Sequence, residues 1–103
     1  MTASTTAETT SILTIAAGHG AWPTARSGRN AERKLAGFTP AALQEALGAH
    51  LETPYAGRNS EGHIWANVVY AIACELALQD GATLEQAWQG AHDRLASERD
   101  GRS

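Results

Sequence analysis

HIWANVVYAIACELAL, residues 63–78, is the stretch whose reading decides the fold. Extended to a helix from about Ser60 to Gln79, it is apolar on almost every side, and only Asn67 and Glu75 interrupt it. A helix that is hydrophobic all round has no face to give to water, so it must be covered by neighbours. At 100° per residue its positions divide into unlike faces. Ile64, Trp65, Val68, Val69, Ile72 and Leu76 form a bulky arc of about 140° that should fill a core. Ala66, Ala73 and Ala77 form a small-residue stripe beside it, where another helix can come close. Ser60, His63, Asn67, Tyr70 and Cys74 make a third, semi-polar stripe. Glu75 falls on the bulky side, where a carboxylate is expected to reach solvent or pair with Arg29, Arg33 or Arg58.

Downstream, Thr83 and Gln86 have the spacing of a capping box, in which hydroxyl and amide each satisfy an orphan backbone donor. The helix they open carries Leu84, Ala87, Trp88, Ala91 and Leu95 on one face and should fray by Arg99. Upstream, Thr39 is an N-cap and Pro40 takes the first helical position, where a missing N–H costs nothing. That helix runs to about Glu52 with Leu43, Leu47 and Leu51 as its buried stripe and Ala46 alongside. Thr53-Pro-Tyr-Ala-Gly57 is the clearest break in the chain. A short basic helix is expected from Ser27 or Asn30 to Ala36, stopped by Gly37. Gly18-His-Gly-Ala-Trp-Pro23 reads as a loop with Trp22 against the core. Residues 11–17 suit a short helix by spacing and a strand by β-branching, and helix is favoured because a strand would lack a partner. Residues 1–10 and 100–103 are polar tails with nothing to bury, flanking one helical domain over 11–99.

GRNAE (residues 28–32) returns as GRNSE (57–61), and LQEALGAH (43–50) is echoed by LEQAWQGAH (84–92) in the same order. A duplicated helix pair would give two stacked hairpins related by a pseudo-twofold axis; chance recurrence of Ala, Gly and Glu would give the same similarity.

The 103 residues are enough for one domain that buries roughly 60–65% of the unfolded chain's surface. The single cysteine, Cys74, cannot close an internal disulfide and reads as a small buried hydrophobe. Apolar runs are too short to span a bilayer, and no basic residue precedes Arg26 to make Ile12–Ala17 a secretory signal, so a cytoplasmic location is expected. Seven arginines to one lysine, with abundant Ala and Gly, match the coding bias of a GC-rich bacterial genome. The net charge of −3 argues against indiscriminate binding to nucleic acid, but the charge is unevenly spread. Arg26, Arg29, Arg33 and Lys34 face Glu32 alone within residues 22–37, whereas residues 59–103 are acidic.

Motifs that carry chemistry are scarce. No two of His19, His50, His63 and His92 stand three or four apart, the spacing that puts two imidazoles on one helical face, so no metal site is expected. His50 lies among Leu43, Ala46 and Leu47, where a buried hydrogen-bond partner is the ordinary explanation. Cys74, between Ala73 and Glu75, lacks the electropositive setting that makes a reactive thiolate. Gly37-Phe-Thr-Pro-Ala-Ala-Leu43 resembles the turn and recognition-helix start of a helix-turn-helix, with basic residues before it. The following helix departs from that pattern, since it offers Gln44, Glu45 and Glu52 and no base-reading cation.

The sequence therefore predicts an all-α, single-domain bundle of four to five helices around a buried central helix at about 60–79. By elimination, it predicts a non-enzymatic protein–protein interaction module, an adaptor or inhibitor of a larger partner, without a cofactor and open to homodimerisation. His63, Asn67 and an exposed Tyr70 form the expected partner surface. The alternative is a nucleic-acid-associated regulator acting through Arg26, Arg29, Arg33, Lys34 and Arg58. A salt titration separates the two, because counterion release makes phosphate binding fall steeply with log salt. On the alternative reading, Arg29→Glu with Arg33→Glu abolishes DNA or RNA binding; binding that survives this reversal removes that reading.

Overall fold

The computed structural model describes residues 3–17, 35–53 and 60–100. They form four α-helices and no strand: α1 (Ala3–Ala17), α2 (Pro40–Leu51), α3 (Ser60–Gln79) and α4 (Leu84–Asp100). The radius of gyration, 13.0 Å, is that of a chain of this length folded into one compact body. The expected basic helix before Gly37 lies outside the described residues except at its end. There Leu35–Gly37 is a turn, closed by the Phe38 N–H donating to the Leu35 carbonyl at 3.1 Å.

Residues 11–17 are helical, and the helix reaches back to Ala3, so most of the expected N-terminal tail belongs to α1. Ile12 and Ala16, one turn apart, are both fully buried. Once those two are anchored, adding Ala, Thr and Glu residues to the helix costs little, because nucleation is the unfavourable step.

The helix ends follow local chemistry. Thr39 holds extended backbone geometry, and its Oγ1 accepts from the Ala42 N–H at 3.1 Å. Leu43, Ala46 and Leu47 then face the core, while Leu51 is only half-buried. At the end of α3 the Gly81 N–H donates to the Leu78 carbonyl and the Ala82 N–H to Ala77, at 3.1 and 3.0 Å. This is the crossed bonding of a Schellman stop, which requires Gly81 at φ 99°. Next, the capping box forms as its spacing predicts: the Gln86 N–H donates to Thr83 Oγ1 at 3.1 Å and the Thr83 N–H to Gln86 Oε1 at 3.0 Å.

α3 packs against α1, α2 and α4, and α1 also packs against α2. Two hydrophobic clusters result. The larger joins Ile12, Leu35, Leu43, Leu47, Trp65, Val69 and Ile72, with Leu95 of α4. The smaller joins Tyr70, Cys74, Ala87 and Ala91, bordered by Ala73, Ala77 and Trp88.

Ile64, expected in the core, exposes 48% of its surface. It lies one turn before the buried Val68, and helical side chains lean towards the N-terminus, away from Val68.

Leu43→Ala removes a fully buried side chain and should cost about 3 kcal/mol in denaturant unfolding. Gly81→Ala should lower the thermal midpoint by roughly 4–8 °C for about 1 kcal/mol. The added methyl would meet nothing within 4 Å, so that cost is conformational alone.

Candidate functional site

The semi-polar stripe of α3 starts on the first turns of the helix. His63 occupies a position on its first turns, Ile64 is exposed and Asn67 is half-buried. Ile64 and Asn67 are three residues apart and so neighbours on the helix surface. Ile64 therefore brings one large apolar side chain to the surface beside Asn67.

Further along, the stripe goes under α4. Tyr70 is only 4% exposed and Cys74 fully buried, which replaces the exposed tyrosine expected at the partner surface with a core residue. The reason is the alanine content of α4: Ala87 and Ala91 are buried against α3 and let the two helices approach closely. His92 lies edge-on to both the Tyr70 ring, at 4.9 Å between centroids, and the Trp88 ring, at 4.3 Å. Edge-to-face aromatic contacts of this kind add about 0.5–1.5 kcal/mol beyond burial. Burial holds the Tyr70 phenol well above its ordinary range, and the charge interaction with Cys74 adds to the push.

A second joint ties the end of α2 to the start of α3. His50 Nε2 contacts the Trp65 carbonyl at 3.1 Å, and because a carbonyl only accepts, this bond needs the Nε2–H tautomer. Trp65 Nε1 donates to Thr53 Oγ1 at 3.2 Å, and the same hydroxyl donates to the His50 carbonyl at 2.6 Å. His50 thus has the hydrogen-bond partner expected for a core-facing histidine.

Glu75 is 2% exposed, although it is ionisable. Its Oε2 accepts from Gln79 Nε2 at 2.9 Å, and the same amide donates to the Phe38 carbonyl at 2.9 Å. The carboxylate therefore helps bind the turn before α2 to the end of α3. Its expected partners Arg29, Arg33 and Arg58 lie outside the described residues, as do Arg26 and Lys34.

Beside this joint, a cleft of about 430 Å³ opens between Pro40 and Gln44 of α2 and Leu76, Ala77, Gln79 and Asp80 at the end of α3. Among the described residues neither Glu75 nor a histidine lines it. Among the described residues no three His, Cys, Asp or Glu side chains gather in a way that could hold a metal ion, and no helix is long and apolar enough to cross a membrane.

No family model, curated protein or solved structure matches this chain.

Sequence reasoning placed Cys74 and His50 in their surroundings but missed the exposure of Ile64 and the Tyr70–His92–Trp88 contact. The His92 contact had one available signal: Trp88 and His92 are four apart on α4, as Tyr70 and Cys74 are on α3, the spacing at which two facing helices interdigitate.

Tyr70→Ala should cost about 3–4 kcal/mol, the loss typical of a buried aromatic ring, in urea unfolding. The phenol is neutral when protonated and its folded value is raised. Its contribution is therefore whole below about pH 10, where the unfolded phenol titrates, and is lost as pH rises beyond it. Tyr70→Phe should flatten that alkaline decline in stability, and an unchanged decline would assign it to other groups.

Proposed function

We propose that the protein is a small cytoplasmic protein–protein interaction module, an adaptor or inhibitor of a larger partner, which works without a cofactor or catalytic group. In this reading α3 is the central helix of a bundle of four or five. Its first turns, with His63, Ile64 and Asn67, form the middle of the contact surface, and Tyr70 supports that surface from below. The observation that carries the reading is Ile64, the exposed large hydrophobic residue among the described residues, on a helix whose other bulky side chains are covered. An apolar anchor with polar neighbours is the composition of a binding patch's centre and rim.

The surface of α2 favours a protein partner over a nucleic acid. Glu45 and Glu52 are exposed on and just after the helix that would have to enter a groove, where phosphates would repel them. A second copy of the chain is one partner such a patch would fit, and sedimentation over a concentration series reports it.

The test is capture from native cell extract at low and raised salt, with nuclease treatment in parallel. A discrete protein retained after both treatments, and lost from Ile64→Asp, is the expected result. Ile64→Asp should leave stability within about 0.5 kcal/mol, because the side chain is half in water already. Partners that vanish with nuclease would overturn the reading and transfer the site to Arg26, Arg29, Arg33, Lys34 and Arg58.

A further inference from the structure

The cleft between α2 and the end of α3, at about 430 Å³, has the volume of a small-molecule site, which runs from about 300 to 1,000 Å³. Pro40, Leu76 and Ala77 give it apolar walls, and Gln44, Gln79 and Asp80 are its polar lining. What Gln79 can offer there is fixed by bonds it already makes. Its Nε2 donates to the Phe38 carbonyl and to Glu75 Oε2, both at 2.9 Å, so both amide hydrogens are used. A backbone carbonyl only accepts, so the amide cannot be turned round. The atom that Gln79 keeps for a ligand is therefore Oε1, an acceptor held in place by the two bonds on its nitrogen.

Asp80 adds a second acceptor, in a position that does not favour the fold. Its N–H donates to the Leu76 carbonyl at 3.1 Å, so it continues the last turn of α3, where the aligned peptide dipoles concentrate negative charge. A helix end of that kind favours a cation, yet α3 has no basic residue in its last turn. Asp80 is exposed and makes no ion pair among the described residues. Departures from local rules that the fold does not compensate collect at functional sites. Gln79 Oε1, the Asp80 carboxylate and the negative end of α3 all suit one kind of group, a hydrogen-bond donor with a positive charge.

We propose that this cleft binds a small free alkylammonium ion, with its N–H groups on Asp80 and Gln79 Oε1 and its methylenes along Pro40, Leu76 and Ala77. Gln44, four residues after Pro40 and so on the same side of α2, brings an amide that can turn its oxygen to the ammonium. The site lies at the opposite end of α3 from Ile64 and stands whether or not a protein binds there.

The test is a titration of the full chain with pentylammonium chloride at constant ionic strength, followed through the side-chain amide signals of Gln44 and Gln79 in proton–nitrogen NMR. Those signals should move and saturate, and pentanol, the uncharged analogue of equal length, should bind about fivefold more weakly. Asp80→Asn changes an exposed residue outside the core and should weaken pentylammonium by a similar factor of about five. A lysine side chain carries the same ammonium, so acetyl-lysinamide separates a free amine from a protein; it should bind no more tightly than pentylammonium. Signals that do not saturate, pentanol binding as tightly as pentylammonium, or an undiminished affinity in Asp80→Asn would each overturn the proposal. Tighter binding of acetyl-lysinamide would overturn it in favour of a protein lysine. None of these readouts involves Ile64, so they stand apart from the capture experiment.

Discussion

The structure depends on the need to cover α3. From Trp65 to Glu75 only Asn67 and Ala73 are left partly in water. The helix satisfies its own backbone, but between Trp65 and Glu75 its side chains are nearly all apolar, and α1, α2 and α4 pack against it. α1 contributes Ile12 and Ala16, the turn before α2 contributes Leu35, and α2 contributes Leu43, Ala46 and Leu47. The exception inside this cover is Glu75, whose carboxylate is tied through Gln79 to the Phe38 carbonyl. A buried carboxylate is expensive unless its oxygens are bonded, so this contact links covering the helix to positioning the entry into α2.

The two flanks of α3 are covered by unlike chemistry. Towards α1 and α2 the contact is made by branched and aromatic side chains, with the His50–Trp65–Thr53 bonds fixing the corner. Towards α4 it is made by alanines, with the Tyr70–His92–Trp88 rings as the larger bodies. Small residues allow close helix approach but remove little apolar area from water. The second flank is thus geometrically tight, with the aromatic rings and Leu95 supplying its bulk.

Much of the local structure was legible because its causes lie within a few residues. The α3 span, the Thr39 and Thr83 caps and Pro40 at the first helical position each depend on neighbours within one turn. The candidate surface was less legible. Angular position on a helix says which residues share a face, but not where along its length the neighbouring helices begin to cover it. Ile64 and Val68 share the bulky arc one turn apart, yet Val68 is buried and Ile64 half in water.

The sequence by itself determined the helical character of the described residues, most of their helix boundaries and the burial of Trp65, Val68, Val69 and Ile72, because periodicity, capping and apolar content act locally. Tertiary structure alone decided that α4 lies over Tyr70 and Cys74, that Ile64 stays at the surface and that Glu75 is enclosed with an amide partner. Those outcomes depend on which helix covers which length of α3, a matter of packing among residues far apart in the chain, and no local pattern encodes it.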